Sequence, residues 1–460
     1  MRKSPLALLF MLIVGGFFFL AKAPSQEFVS QYYVVLLSYF FVGIIIVVFY
    51  TKVEFDIFSP VFWVIIPTFF TFSVGPMTSV ILNDTTIEGF EVFEGCYSGT
   101  CVYVLSILVF MLIYYGTYQN YSVEDTKVEK ITEVYESQPI SKQTLVNICL
   151  IFVILGMAVS YYSLLKRGLS LKYILSLGTN DSSTGDLESI GGLIDVIFFM
   201  YIPLLLLDRY MDNKILLITL RVLAAIPLVV RGNRFFMLMY VIPLVVMYYT
   251  NRNKRPSFLT GALALVAFIA LMTGTQFIRS SLRMGDAFNE AWRGEYNLLY
   301  IWNSVQINLD MYKTLYGACM HFPDGHMFTF GIPMILGTIA QILPKSIRPF
   351  DLINVVMYER QYFMGPNSGH WTYAQLTEYY IELGVVACMF FMGIFARFCK
   401  KVQAIVWNPD RDYLDCVLFA QMIPMIFQLV LRGQLTSNFW IMAFMMVPYW
   451  VIRNISFRRE

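Results

Sequence analysis

Long apolar runs, separated by short polar or charged stretches, set the pattern of this chain. They lie near 5–21, 31–50, 57–77, 97–116, 144–165, 193–208, 215–230, 235–250, 257–276, 379–397, 414–431 and 438–452. A helix rises about 1.5 Å per residue, so roughly 20 apolar residues cross a hydrocarbon layer of about 30 Å. The pattern therefore predicts an all-α, polytopic integral membrane protein with about twelve transmembrane helices. Open β structure is no substitute, because unpaired backbone groups are too costly in lipid.

One connection is far longer than the rest. It divides the chain into helices one to nine over 1–276, a large extracytoplasmic loop over 277–378, and helices ten to twelve over 379–460. The loop is rich in Trp, Tyr, Gly and Pro, as a folded domain would be. Within it, Met327 to Leu343 is apolar but holds Gly331, Pro333 and Gly337. A full crossing there would invert everything downstream, so a re-entrant or interfacial helix is expected.

Composition agrees with lipid as the solvent. The 460 residues are 58% hydrophobic and 14% charged, against about 25% charged in soluble domains. The net charge of +2 says little, but its distribution gives an orientation. With the N-terminus inside, inner connections carry Lys52; Lys127, Lys130 and Lys142; Arg209 and Lys214; Arg252, Lys254 and Arg255; Arg397, Lys400 and Lys401; and Arg453, Arg458 and Arg459. The outer connection 78–96 has one Asp, three Glu and no Lys or Arg. The positive-inside trend thus places both termini in the cytoplasm. The start imitates a signal peptide, with Arg2 and Lys3 before an apolar run and Ala21-Lys22-Ala23 after it; Pro24 should block cleavage, which leaves a retained first helix. The seven cysteines show no CxxC spacing. Cys96 and Cys101 could pair outside, but burial as small hydrophobes is the expected use.

The unusual residues are arginines at outer helix ends. Helices seven and eight meet at Arg231-Gly232-Asn233-Arg234. Each flank has roughly sixteen apolar residues, about 24 Å of helix, so the turn is expected to sit sunk below the outer surface. Arg is costly at such depth unless paired or facing water. The ninth helix ends at Arg279 and Arg283, spaced i, i+4 on one face. Arg432-Gly433-Gln434 forms the last outer turn. Single arginines could snorkel to lipid phosphates. Five together point to an anionic ligand, because guanidinium binds phosphate bidentately and a pyrophosphate can engage several. Arg221 lies within helix seven, where Asp195 or Asp208 are the acids available to pair with it.

Glu378 and Glu382 stand i, i+4 at the outer mouth of helix ten. Acids in such places are functional candidates, although a solvated helix start favoured by the macrodipole is the plain alternative. His370 precedes them in a turn-rich run. His321 and His326 are five apart, off a common helix face, so no metal site is expected. There is no Walker motif and no G-x-S-x-G elbow. The first outer loop, 21–31, has Glu27 alone and so lacks the paired acids of metal-dependent glycosyltransferases that use polyprenyl monophosphate sugars. Two halves with matching broken helices, frequent in secondary transporters, are not visible.

With these features the chain resembles the Wzy-type oligosaccharide repeat-unit polymerases of bacteria, the O-antigen or capsular polysaccharide polymerases. The likeness spans the whole chain as layout. Locally it rests on the Arg231 to Arg234 turn, on Arg279 and Arg283, and on the stretch from Pro366 to Gly384 ending in Glu382-Leu383-Gly384. Many relatives have Gly-Ser-Arg-Gly at the short-helix turn, where this chain has Arg-Gly-Asn-Arg, which leaves open which arginine meets phosphate. The resemblance implies a glycosyltransferase at the outer face of the bacterial cytoplasmic membrane. It would polymerise repeat units carried on undecaprenyl pyrophosphate, without a cofactor. A chain-length regulator and a flippase are the implied protein partners, and no nucleic acid is. Arg231, Arg234, Arg279, Arg283 and Arg432 would bind pyrophosphate, and Glu378, His370 or Glu382 would serve as base, Glu378 first. Trp292, Tyr296, Trp302, Trp371 and Tyr373 offer faces for sugar rings, or are ordinary interfacial aromatics. The rival readings are an O-antigen ligase with the same donor, and a lipid-linked oligosaccharide flippase or other transporter. A scaffold would leave the sunken arginine turn without a cause.

Overall fold

A computed structural model describes residues 5–22, 29–52, 57–87, 89–116, 131, 133–134, 140–166, 191–231, 234–250, 309–325, 327–341, 343, 374–408, 410–433 and 435–455. Helices α1 (Pro5–Lys22) and α2 (Val29–Lys52) open the chain. Helix α3 runs Pro60–Leu82 and is wound more loosely, as π-helix, over Phe70–Val74. Pro67 and Pro76 flank that stretch, and proline removes one backbone donor from the ladder at each place. A short hairpin of β1 (Thr86–Ile87) and β2 (Phe90–Glu91) follows, with Thr86 opposite Glu91 and Ile87 opposite Phe90. Next come α4 (Cys96–Gly116), α5 (Lys142–Lys166), a 3-10 stretch Gly191–Met200 continued by α6 (Tyr201–Tyr210), α7 (Lys214–Arg231) and α8 (Arg234–Thr250). The rest comprises α9 (Met311–His321), α10 (Ile332–Gln341), α11 (Gln375–Trp407), α12 (Tyr413–Arg432) and α13 (Leu435–Asn454).

Helices occupy eleven of the twelve places expected from the apolar runs. The twelfth, 257–276, lies outside the described residues. Seven of the described helical stretches are long and apolar enough to cross a membrane. Many side chains on their outer faces are apolar and exposed, among them Leu37 and Ile44 on α2, Ile151 and Ile154 on α5, and Val386 and Phe390 on α11. A soluble protein would hide such side chains; a lipid-facing one presents them. The protein is of the all-α membrane type.

At the centre lies α12, buried along most of its length and packed against α8, α11, α3, α6 and α13. It starts at a capping box, in which Asp412 accepts from the Asp415 N–H and Asp415 from that of Asp412. These two carboxylates also hold Arg453 at the far end of α13. Arg209, at the end of α6, pairs with Glu133 and lies over the Tyr413 ring at 4.8 Å. Lys142 bonds Asp212 at 2.7 Å. The Lys142, Arg209 and Arg453 ends therefore meet on one side of the bundle, as the charge pattern groups them.

The opposite end gathers the other expected set. Helix α9, inside the long loop, lies against α3, α4 and α11 instead of forming a core of its own. Its Lys313 is 1% exposed and forms ion pairs with Asp310 (3.4 Å) and with Asp84 of the 78–96 connection (3.0 Å). Tyr316 shares a 3.0 Å hydrogen bond with Thr100 of α4, and Thr314 one of 3.0 Å with Thr377 of α11. The close approach uses small residues: a Cβ on Gly95 would stand 2.0 Å from the Tyr316 carbonyl oxygen, and one on Gly75 2.7 Å from that of Leu309. Cys96 and Cys101 are both free thiols, the first buried and the second exposed.

Candidate functional site

Helix α11 begins four residues before the apolar run suggested and is broken about two turns after its start. Leu383 (φ −157°, ψ 33°) and Gly384 (φ 63°, ψ −150°) are not helical. The Gly384 conformation is one that essentially only glycine adopts. The break leaves an eight-residue half-helix, Gln375 to Glu382, about 12 Å long, before the main span resumes.

A broken helix at membrane depth must have its freed carbonyls satisfied. Here the Thr329 N–H donates to Ile381 O (3.1 Å) and the Phe330 N–H to Glu382 O (2.8 Å). The segment entering α10 thus caps the half-helix. Phe330 (φ 55°) and Gly331 (φ 79°) then turn the chain sharply into α10. Helix α10 lies within the apolar stretch Met327 to Leu343, where a re-entrant or interfacial helix is expected. It packs on α13, where Trp440 Nε1 donates to Thr338 O at 2.6 Å. Its other face exposes Ile332, Ile335 and Ile339, in keeping with an element lying at a lipid boundary.

Glu378 and Glu382 project from the half-helix one turn apart and are 2% and 1% exposed. A solvated helix start is therefore not their situation. Glu378 accepts the Leu435 N–H with both oxygens, at 3.1 and 2.9 Å. Glu382 Oε2 accepts from Thr329 Oγ1 (2.5 Å) and the Gly331 N–H (2.7 Å), and the Met334 amide is directed at the same carboxylate. Its Oε1 is buried with no hydrogen bond of ordinary geometry among the described residues. Each glutamate thus faces the N-terminus of a different helix, α13 for Glu378 and α10 for Glu382. Those ends carry unpaired N–H groups and partial positive charge, which favour a carboxylate.

Beside Glu378 runs the turn from Arg432 to Leu435 that joins α12 to α13. The Gly433 N–H donates to Leu429 O and the Asn438 side-chain amide to Gly433 O. Arg432 is half-buried, and among the described residues it has no carboxylate partner within ion-pair distance. The structure thus brings Glu378, Glu382 and Arg432 to one end of the bundle. The backbone sets Arg231 at the end of α7 and Arg234 at the start of α8, but their side chains lie outside the described ones. Arg279, Arg283, His370 and the aromatic set of the long loop also lie outside the described residues.

Arg221 pairs with Asp208, 3.0 Å away, and Tyr240 donates to its carbonyl at 3.3 Å. It borders a cavity about the size of one water, with Tyr240 and Gln421. No group of three His, Cys, Asp or Glu side chains is placed to hold a metal ion among the described residues. Sequence reasoning did not single out Lys313, Thr329, Thr338 or Asn438. Nothing in their spacing marks them, since each acts through a contact distant in sequence or through backbone.

The chain matches no protein-family model, and comparison with curated proteins and with solved structures finds no match either.

Proposed function

We propose that this protein is a glycosyltransferase that joins oligosaccharide repeat units carried on undecaprenyl pyrophosphate, extending a surface polysaccharide at the outer face of a bacterial cytoplasmic membrane. The observation that carries the reading is the end of the bundle where α11 is broken. There helix α10, a half-buried arginine without a carboxylate partner among the described residues and two buried glutamates are framed by irregular but satisfied backbone. Irregular backbone at membrane depth is tolerated where it is buried in protein or lines a polar cavity, and half-helix ends in such places meet charged groups.

In the reaction, an acceptor hydroxyl oxygen attacks the anomeric carbon of the donor glycan. The bond from that carbon to the pyrophosphate oxygen breaks, and undecaprenyl pyrophosphate leaves with the electron pair. The hydroxyl proton passes to a base, for which the candidates are His370 and Glu382, whose Oε1 has no hydrogen-bond partner among the described residues. Arg432 stabilises the charge that grows on the leaving pyrophosphate, joined by Arg231, Arg234, Arg279 and Arg283. Twelve crossings with both termini inside would put this end of the bundle outside, where the flipped lipid-linked glycan waits.

The test is a strain lacking the protein, complemented with wild type or variants, with its surface glycans resolved by size. Single repeat units in place of a ladder support the polymerase. Full-length chains held on the lipid carrier would assign a ligase. Lipid-linked glycan retained on the inner leaflet would assign a flippase.

A further inference from the structure

Glu378 ties the half-helix of α11 to the start of α13, a role distinct from taking a proton. Glu378 is 2% exposed, and both its oxygens are turned to the Leu435 N–H. The Arg432–Leu435 turn is otherwise held by groups of α12 and α13 themselves, through Leu429 O and the Asn438 side chain. Glu378 adds the tie to a third helix, the one whose break defines the site. Arg432 stands on that turn, half-buried and without a carboxylate partner among the described residues. A guanidinium so placed is suited to an anion arriving from outside the protein.

We infer that Glu378 is a positioning residue: it fixes the Arg432–Leu435 turn so that Arg432 meets the pyrophosphate of a lipid-linked donor. The identity of that anion rests on the polymerase reading; the positioning of the turn does not. Gln at 378 keeps a carbonyl oxygen for the Leu435 N–H but cannot accept a proton at neutral pH. Ala removes the acceptor and leaves a buried amide unsatisfied. A base at this position would make both changes equally harmful, whereas a positioning residue tolerates Gln.

The experiment uses the purified full chain in detergent, with Cys101→Ser to remove the exposed thiol. The first readout is the rate of maleimide modification of R432C, alone and combined with E378Q or E378A. The expected result is a rate within about twofold for E378Q, and one changed at least about fivefold for E378A, from the buried amide left unpaired. Equal rates in all three, or equal disturbance by Gln and Ala, would overturn the proposal. The second readout keeps Arg432 and follows thermal stabilisation by farnesyl pyrophosphate. Wild type and E378Q should respond at the same concentration, with E378A needing about tenfold more, as lost charge-assisted contacts predict. If the labelling pattern holds while the pyrophosphate stabilises none of the proteins, the turn is positioned by Glu378 and the polymerase reading fails. Should E378A not fold, E378Q alone decides on the glycan ladder: chain length like wild type supports positioning, and loss matching Arg432→Ala overturns it.

Discussion

Lys313 shows how much a single side chain can matter in this molecule. Its ammonium is 1% exposed and held between Asp310 and Asp84. Removing one member of a buried ion pair leaves an uncompensated charge and costs about 3–5 kcal/mol. Lys313→Met should therefore lower the thermal unfolding midpoint sharply in detergent. Replacing Asp310 by Leu in the same chain should restore most of the loss, since paired charges exchanged together for apolar groups are often near neutral. Arg432 poses the opposite case, a half-buried cation with no carboxylate partner among the described residues. Arg432→Lys keeps the charge but loses the bidentate fork, so pyrophosphate should stabilise it more weakly than wild type, by a factor of about ten in the concentration required. At this scale the sequence was informative about spacing and uninformative about environment. The interval between Glu378 and Glu382 placed both on one helix face. Their burial could not be read, because it depends on the Leu435 turn 57 residues away and on Gly331, 51 residues before Glu382. Lys313 looked like an ordinary charged residue of a long loop, and only the fold brings Asp84 to it.

Among the elements, the broken α11 carries the most consequence. Gly384 sits at φ 63°, ψ −150°, and a Cβ there would come within 2.9 Å of the Phe328 ring. Gly384→Ala should destabilise the protein by about 1–3 kcal/mol through backbone strain, read as a drop in midpoint under thermal or denaturant unfolding. Adding Phe328→Leu would relieve the contact and leave the strain, so recovery should be partial. The apolar runs revealed where helices stand, because lipid demands length and apolarity and nothing subtler. They hid the break, since Leu383-Gly384 interrupts neither hydrophobicity nor charge. The interrupted segment around Gly331, Pro333 and Gly337 was legible for a different reason: those residues fill a run too short and too irregular to cross. The π-wound Phe70–Val74 was not legible either; it lies where α3 receives α9, a contact set by tertiary packing.

Across the whole molecule, charge sorts the two ends. Lys142, Arg209 and Arg453 meet at one, and Glu378, Lys313 and the Arg432 turn at the other. The described stretches 309–325 and 327–341 of the long connection lie at the second end. In the described portion of that loop, helix α9 is laid across α3, α4 and α11. Loop-rich surfaces over a rigid bundle are where function concentrates, and helix α10 and the broken span meet there. The central claim is that this end joins lipid-linked repeat units. The most direct measurement reconstitutes the purified full chain in vesicles with lipid-linked repeat units isolated from a strain that lacks it. Products are separated by length while released polyprenyl pyrophosphate is counted. The account predicts dimers and longer chains on the lipid, with one polyprenyl pyrophosphate freed for each unit added. Repeat units that stay single, with no pyrophosphate carrier released, would contradict it.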